Sequence, residues 1–196
     1  MRRIAAILSF VMSIPLISGQ SFAGSEIPAS RSISPPVGFG AACAKYGWVC
    51  HGKGGVDIGD KEALRALQEV NRFVNSKVKP TEDRIAKGRR SDNWTLPVNN
   101  KGDCEDYALL KMKTLLDIGF PTSKLALSVV LDRSGENHLV LIARLKSGDY
   151  VLDNLAYNVK PWQRTGYTFL ASQNFNSKAN WQVTLAGPRA SQFIKG

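Results

Sequence analysis

Apolar positions recur with two different periods along the chain, and the change of period divides it. From Asp60 onward, Ala63, Leu67, Val70, Val74 and Val78 lie three or four residues apart, which puts them on one face of a helix. Asp60 reads as the N-cap, Glu62 lies in the first turn and Pro80 ends the helix. A second helix is predicted to open at Asp103, which can cap a first turn of Cys104, Glu105 and Asp106. Tyr107, Ala108, Met112, Leu115 and Leu116 form its buried stripe, Gly119 is a C-terminal cap and Pro121 a stop. Beyond Pro121 the period shortens. Strands are predicted over Leu125–Leu131, His138–Leu145 and Tyr150–Asp153, and two more near Tyr167–Ala171 and Trp181–Leu185. Thr81–Asn100 has no clear period and carries Trp94 and Pro97, so it reads as loop. Helices followed by an antiparallel β-meander give a single α+β domain.

The first residues stand outside that pattern. Arg2 and Arg3 precede an apolar run from Ile4 to Ile17, followed by Ser21-Phe22-Ala23. A charged start, a short apolar run and a small-x-small triplet describe a signal peptide over residues 1–23. The run is shorter than the ~20 residues that span a bilayer, and Ser9, Ser13 and Pro15 interrupt it. Residues 24–40, with Pro28, Pro35 and Pro36, read as an extended leader, and 41–196 as the domain. A protein that is periplasmic or otherwise exported follows, with no integral membrane segment after signal removal.

Composition adds limits. The chain has 196 residues and is 43% hydrophobic, enough for a core and too short for a large multidomain machine. Its net charge of +10 falls to +8 once Arg2 and Arg3 are removed, 24 basic against 16 acidic residues. The basic residues are scattered except for Lys77, Lys79, Arg84, Lys87, Arg89 and Arg90. No aromatic interleaving accompanies that cluster, so it reads as a solvated surface and no nucleic-acid partner is expected.

The three cysteines are too few for a disulfide scaffold, and their odd number is informative. Cys43 and Cys50 are close in sequence and suit a disulfide in an oxidising compartment. Cys104 is left over. It opens a helix, where backbone N–H groups stabilise a thiolate, and Asp103, Glu105 and Asp106 surround it, an odd setting for a core thiol. It is a nucleophile candidate. Of the two histidines, His51 lies in a Gly-rich loop, while His138 begins an apolar strand and is the plausible base. A hairpin turning at Ser147-Gly148 puts Asp153 on the face of His138 but four residues out of register, ~13 Å along the strand. Spacing supports the shared face and not the contact, and Asp149 and Asp132 remain alternative orienting groups.

Taken together, Asp92-x-Trp94, Gly102-Asp103-Cys104-Glu105-Asp106-Tyr107, His138-x-Val140-Leu141 and Gly148-Asp149-Tyr150-Val151-Leu152-Asp153-Asn154 resemble the bacterial transglutaminase-like cysteine proteinases. The likeness runs from about Pro36 to Leu185, and the Cys43…Cys50 pair is similar to that family's pattern too. The resemblance implies a papain/transglutaminase-like fold with the nucleophile at a helix N-terminus. It implies a peptidase in which Cys104 attacks, His138 acts as base and then acid, and Asp153 orients the imidazole. It implies a Ca²⁺ site at Asp103 and Glu105, with Asp106 a ligand or a second cap, and a cleft or oxyanion role for Trp94. The Cys104 backbone N–H could be one oxyanion donor. The family includes periplasmic calcium-dependent proteases that clip large surface adhesins and are sequestered by a membrane receptor. Those partners are the expectation carried here.

Two other readings share the sequence. A transglutaminase or amide acyltransferase would use the same three residues and resolve the acyl-enzyme with an amine. A non-enzymatic periplasmic module would bind acidic polymer or lipid through its basic face.

Overall fold

A computed structural model describes residues 25–52, 54–81, 85–86, 89–90 and 94–194. The predicted signal peptide, Asp92, and Arg84 and Lys87 of the basic cluster lie outside the described residues.

Three helices, α1 (Phe39–Lys45), α2 (Asp60–Lys77) and α3 (Cys104–Asp117), pack on one face of an antiparallel sheet. Its strands are β1 (Ser32–Ile33), β6 (Leu125–Leu131), β7 (Asn137–Leu145), β8 (Gly148–Leu152), β9 (Lys160–Pro161), β10 (Thr168–Gln173) and β11 (Trp181–Ala186). They lie in the order β1-β11-β10-β6-β7-β8-β9. From β6 to β9 the chain meanders as expected, then crosses over to place β10 beside β6. One minor pair, β2 (Lys79–Pro80) with β5 (Lys101–Gly102), flanks the segment read as loop, and another, β3 (Ile85–Ala86) with β4 (Arg89–Arg90), interrupts it.

β7 is buried on both sides, which explains its unbroken apolar run. Leu139, Leu141 and Ala143 face the helices, together with Leu125, Leu127 and Leu152. Val140 and Ile142 face a second core with Val130, Val151 and Phe169. The predicted leader reaches both sides of the sheet, with Phe39, at the start of α1, in the first core and Ile27 in the second. The Ile27 N–H donates to Asp149 Oδ2 at 2.7 Å.

α2 buries Ala63, Leu67, Val70 and Val74, as its spacing requires. Its N-cap is Gly59 rather than Asp60. The Asp60 carboxylate instead accepts the N–H groups of Lys146 (3.2 Å) and Ser147 (2.7 Å) at the β7–β8 turn. α3 ends as predicted. Gly119 takes φ +85°, its N–H reaches Leu116 O, and the Phe120 N–H reaches Leu115 O, the paired bonds of a glycine-terminated helix.

Candidate active site

The start of α3 is fixed by close contacts. A Cβ on Gly102 would lie 2.6 Å from Asp106 Cβ and Oδ2, so only glycine fits ahead of the helix. Asp106 Oδ1 accepts both the N–H and the hydroxyl of Thr95 at 3.2 Å, tying the preceding segment to the helix. Asp103 caps the helix by accepting the Asp106 N–H at 3.4 Å.

Cys104 follows, half-buried and unpaired. Its thiol donates to Glu105 Oε2 at 3.0 Å. The backbone N–H of Leu139, next to His138, points at the sulfur and favours the thiolate. Burial outweighs it and pushes the thiol well above its ordinary value, and the Glu105 carboxylate adds to the rise. Burial also pushes Glu105 up to about 8, aided by the neighbouring Asp103 carboxylate.

His138 is buried at the beginning of β7, with Nε2 2.8 Å from Asp153 Oδ1. The β7–β8 register supplies the reach. Leu145 pairs with Gly148 and Leu141 with Leu152, so the two-residue turn is Lys146-Ser147, one residue earlier than the expected Ser147-Gly148. Extended to the start of β7, this register sets position 155 opposite His138. Asp153 is thus two residues away instead of four, ~7 Å along a strand, and the imidazole and carboxylate close the gap.

Asp153 is itself held from several sides. Tyr167 donates its hydroxyl to Oδ2 at 2.6 Å, and the Leu155 N–H donates to Oδ1 at 2.9 Å. The Asp153 N–H reaches Asn71 Oδ1 at 3.0 Å, and Asn75 Nδ2 donates to its carbonyl at 2.9 Å. Burial opposes the charge, yet the bonds from His138 and Tyr167 hold this carboxyl below its ordinary value. Tyr167 also meets the imidazole edge-on, with ring centroids 6.0 Å apart.

The alternative orienting groups are engaged elsewhere. Asp149 binds Arg144 through both carboxylate oxygens at 2.8 Å and anchors Ile27. Asp132 Oδ1 caps the β6–β7 turn, accepting from Ser134, Gly135 and Glu136. Trp94 is buried in an aromatic cluster with Phe39 and Trp181. Cys43 and Cys50 form a disulfide with Cα atoms 5.5 Å apart. Among the described residues, no group of three or more His, Cys, Asp or Glu is arranged to hold a metal.

Sequence reasoning missed Tyr167, Asn71 and Asn75. Asn71 carried a signal. It lies four residues after Leu67 on the buried stripe of α2, a place where a polar side chain needs a partner. Lys111 carried the same signal on α3. It is 1% exposed, its Nζ has no hydrogen-bond partner among the described residues, and burial pushes it down to about 7, opposed by the Asp153 charge.

A half-buried thiol at a helix N-terminus, facing a strand whose leading histidine is gripped by a buried carboxylate, is the arrangement of a cysteine peptidase with a papain/transglutaminase-like fold. The comparisons agree. The chain belongs to the bacterial transglutaminase-like cysteine proteinase family, whose model matches residues 29–189. It is similar to the calcium-bound structure of LapG from Legionella pneumophila, a Lap-type protease, at 25% identity and TM-score 0.53, covering 66% of this chain and 74% of that one. A further LapG structure from that organism gives 25% identity and TM-score 0.53, over 68% and 74%. The EGTA-treated LapG gives 27% identity and TM-score 0.50, over 59% and 66%. A comparison with curated proteins gives no match.

Proposed function

We propose that this peptidase is an exported endopeptidase that cleaves a polypeptide through Cys104, His138 and Asp153. The observation that carries the reading is the buried His138–Asp153 pair, joined to the thiol by the Leu139 N–H. With its Nε2 proton donated to Asp153, the neutral imidazole presents Nδ1 as an acceptor for the thiol proton. The Cys104 sulfur then attacks the amide carbonyl, and the imidazolium protonates the leaving amine. Water, deprotonated by His138, attacks the thioester and releases a carboxylate and the Cys104 thiol. The Cys104 backbone N–H, at the start of α3 and free of intrahelical duty, is the oxyanion donor.

Asp103 and Glu105 suit a hard cation. Both carboxyl groups crowd the thiol, and Glu105 is pushed up to about 8 by burial and by Asp103. They would supply two of the oxygen ligands that Ca²⁺ takes. When bound, Ca²⁺ contributes the positive charge that offsets both carboxylates and lowers the cost of the thiolate. LapG structures described as calcium-bound and EGTA-treated support this assignment by likeness. The Cys43–Cys50 disulfide supports export to an oxidising compartment, the periplasm. The likeness to a Lap-type protease favours a large surface adhesin as substrate, with a membrane receptor sequestering the enzyme.

The test is product mass spectrometry of a denatured protein digested with calcium and an added primary amine. Free carboxylates at the new C-termini are expected. Amides at those positions would replace hydrolysis with amine transfer.

A further inference from the structure

A cavity of about 380 Å³ opens beside the His138–Asp153 pair, with Tyr167 as the shared wall. Leu155, Ala156, Tyr157 and Asn158, from the loop after Asp153, line another side. Leu155 and Tyr157 are large apolar side chains left more than half exposed, at 61% and 68%. Asp132, Arg133 and Lys160 complete the lining.

The charges of this lining are unequal in availability. Asp132 Oδ1 is committed to three donors of its own turn. Arg133 donates through Nε to Thr165 O at 2.8 Å, which fixes the guanidinium, and its other nitrogens make no hydrogen bond or salt bridge among the described residues. Lys160 takes part in no salt bridge among the described residues. Two cations at a cavity with an apolar lip match a carboxylate flanked by apolar side chains. The place matters as much as the charge. A smaller space that shares Arg133, Lys160 and Tyr167 with this cavity is lined by Asp153 itself.

We propose that this cavity is a substrate subsite that takes an acidic side chain of the polypeptide being cleaved, paired with Arg133 and Lys160. The proposal rests on the reading of the chain as an endopeptidase and names a specificity for it. An extended substrate advances about 3.3 Å per residue. A side chain in the cavity therefore belongs to a residue a fixed number of positions from the scissile bond, and the preference is positional rather than general.

The test is digestion of a proteome-derived peptide library by the full chain with calcium, with cleavage sites read by mass spectrometry. The enzymes compared are wild type, Lys160→Glu and Arg133→Gln, each checked for retained Tm. In wild type, Asp and Glu should be enriched at one position within about five residues of the cut. In Lys160→Glu that enrichment should vanish or turn toward Lys and Arg. For single peptides differing only at that position, the preference for Glu over Lys in kcat/KM should fall at least about fivefold, mainly through KM. Arg133→Gln should weaken the acidic preference without reversing it. Cleavage with no acidic position, or an enrichment unchanged in Lys160→Glu, overturns the subsite and leaves the peptidase standing. Absence of cleavage by wild type overturns both.

Discussion

The Nε2 atom of His138, on β7, lies 2.8 Å from Oδ1 of Asp153, which directly follows the last residue of β8 and is not opposite His138 in the register. Replacing Asp153 with Asn keeps the shape and removes the charge that is proposed to stabilise the imidazolium. Turnover should fall about a hundredfold or more with little change in Tm. Asp149→Asn is the matched control. It breaks the buried Arg144 pair and the Ile27 anchor, and should lose about 2 kcal/mol of stability while keeping turnover. Steady-state kinetics and thermal unfolding on both variants check the assignment. A loss of turnover in Asp149→Asn with Asp153→Asn active would reverse the two roles.

Much of this arrangement was legible in the sequence, and the missing parts share a cause. The strand Leu125–Leu131 and the glycine-terminated end of α3 follow from local period and turn chemistry. Cys104, His138 and Asp153 stood out by residue type and order. The register that lets the last two meet did not. It depends on Asp60 binding the Lys146 and Ser147 N–H groups from 86 and 87 residues away, a contact no local pattern encodes. The leader is the same case. Ile27 is one apolar residue in a Pro- and Ser-rich stretch, and only the buried Asp149 shows why it docks on the sheet.

Glu105 should make stability fall with pH when calcium is chelated. Its folded value of about 8 lies above the ordinary 4.5, so the fold favours the protonated acid. That contribution is complete below pH 4.5 and is lost as pH rises through 8. In EGTA, Tm should drop across this window. Excess calcium or Glu105→Gln should flatten the drop. Equal slopes in all three conditions would remove Glu105 from the cation site.

Lys111 should have the opposite pH dependence. Burial pushes it from 10.5 down to about 7, so the folded state resists its proton. The penalty is full below pH 7 and is relieved as pH rises toward 10.5. Lys111→Met should therefore stabilise the protein by about 1–3 kcal/mol at pH 6, with a smaller gain at pH 9. Denaturant unfolding at the two pH values measures the difference, and a destabilised Lys111→Met at pH 6 would contradict it.

Alkylation separates the cysteines. Iodoacetamide on the non-reduced protein should label Cys104 alone, because Cys43 and Cys50 are bonded to each other. Calcium should quicken the labelling by offsetting the carboxylates that hold the thiol protonated. Peptide mapping reads both results. Label on Cys43 or Cys50 without reductant would contradict the pairing.

The central claim is that Cys104 cuts a protein outside the cytoplasm. Comparative mass spectrometry of cell-surface proteins from wild-type and Cys104→Ala cells tests it most directly. The expected result is a surface protein retained at full length in the Cys104→Ala cells and released with one new terminus in wild type. Identical surface proteins and termini in the two cell lines would contradict the claim.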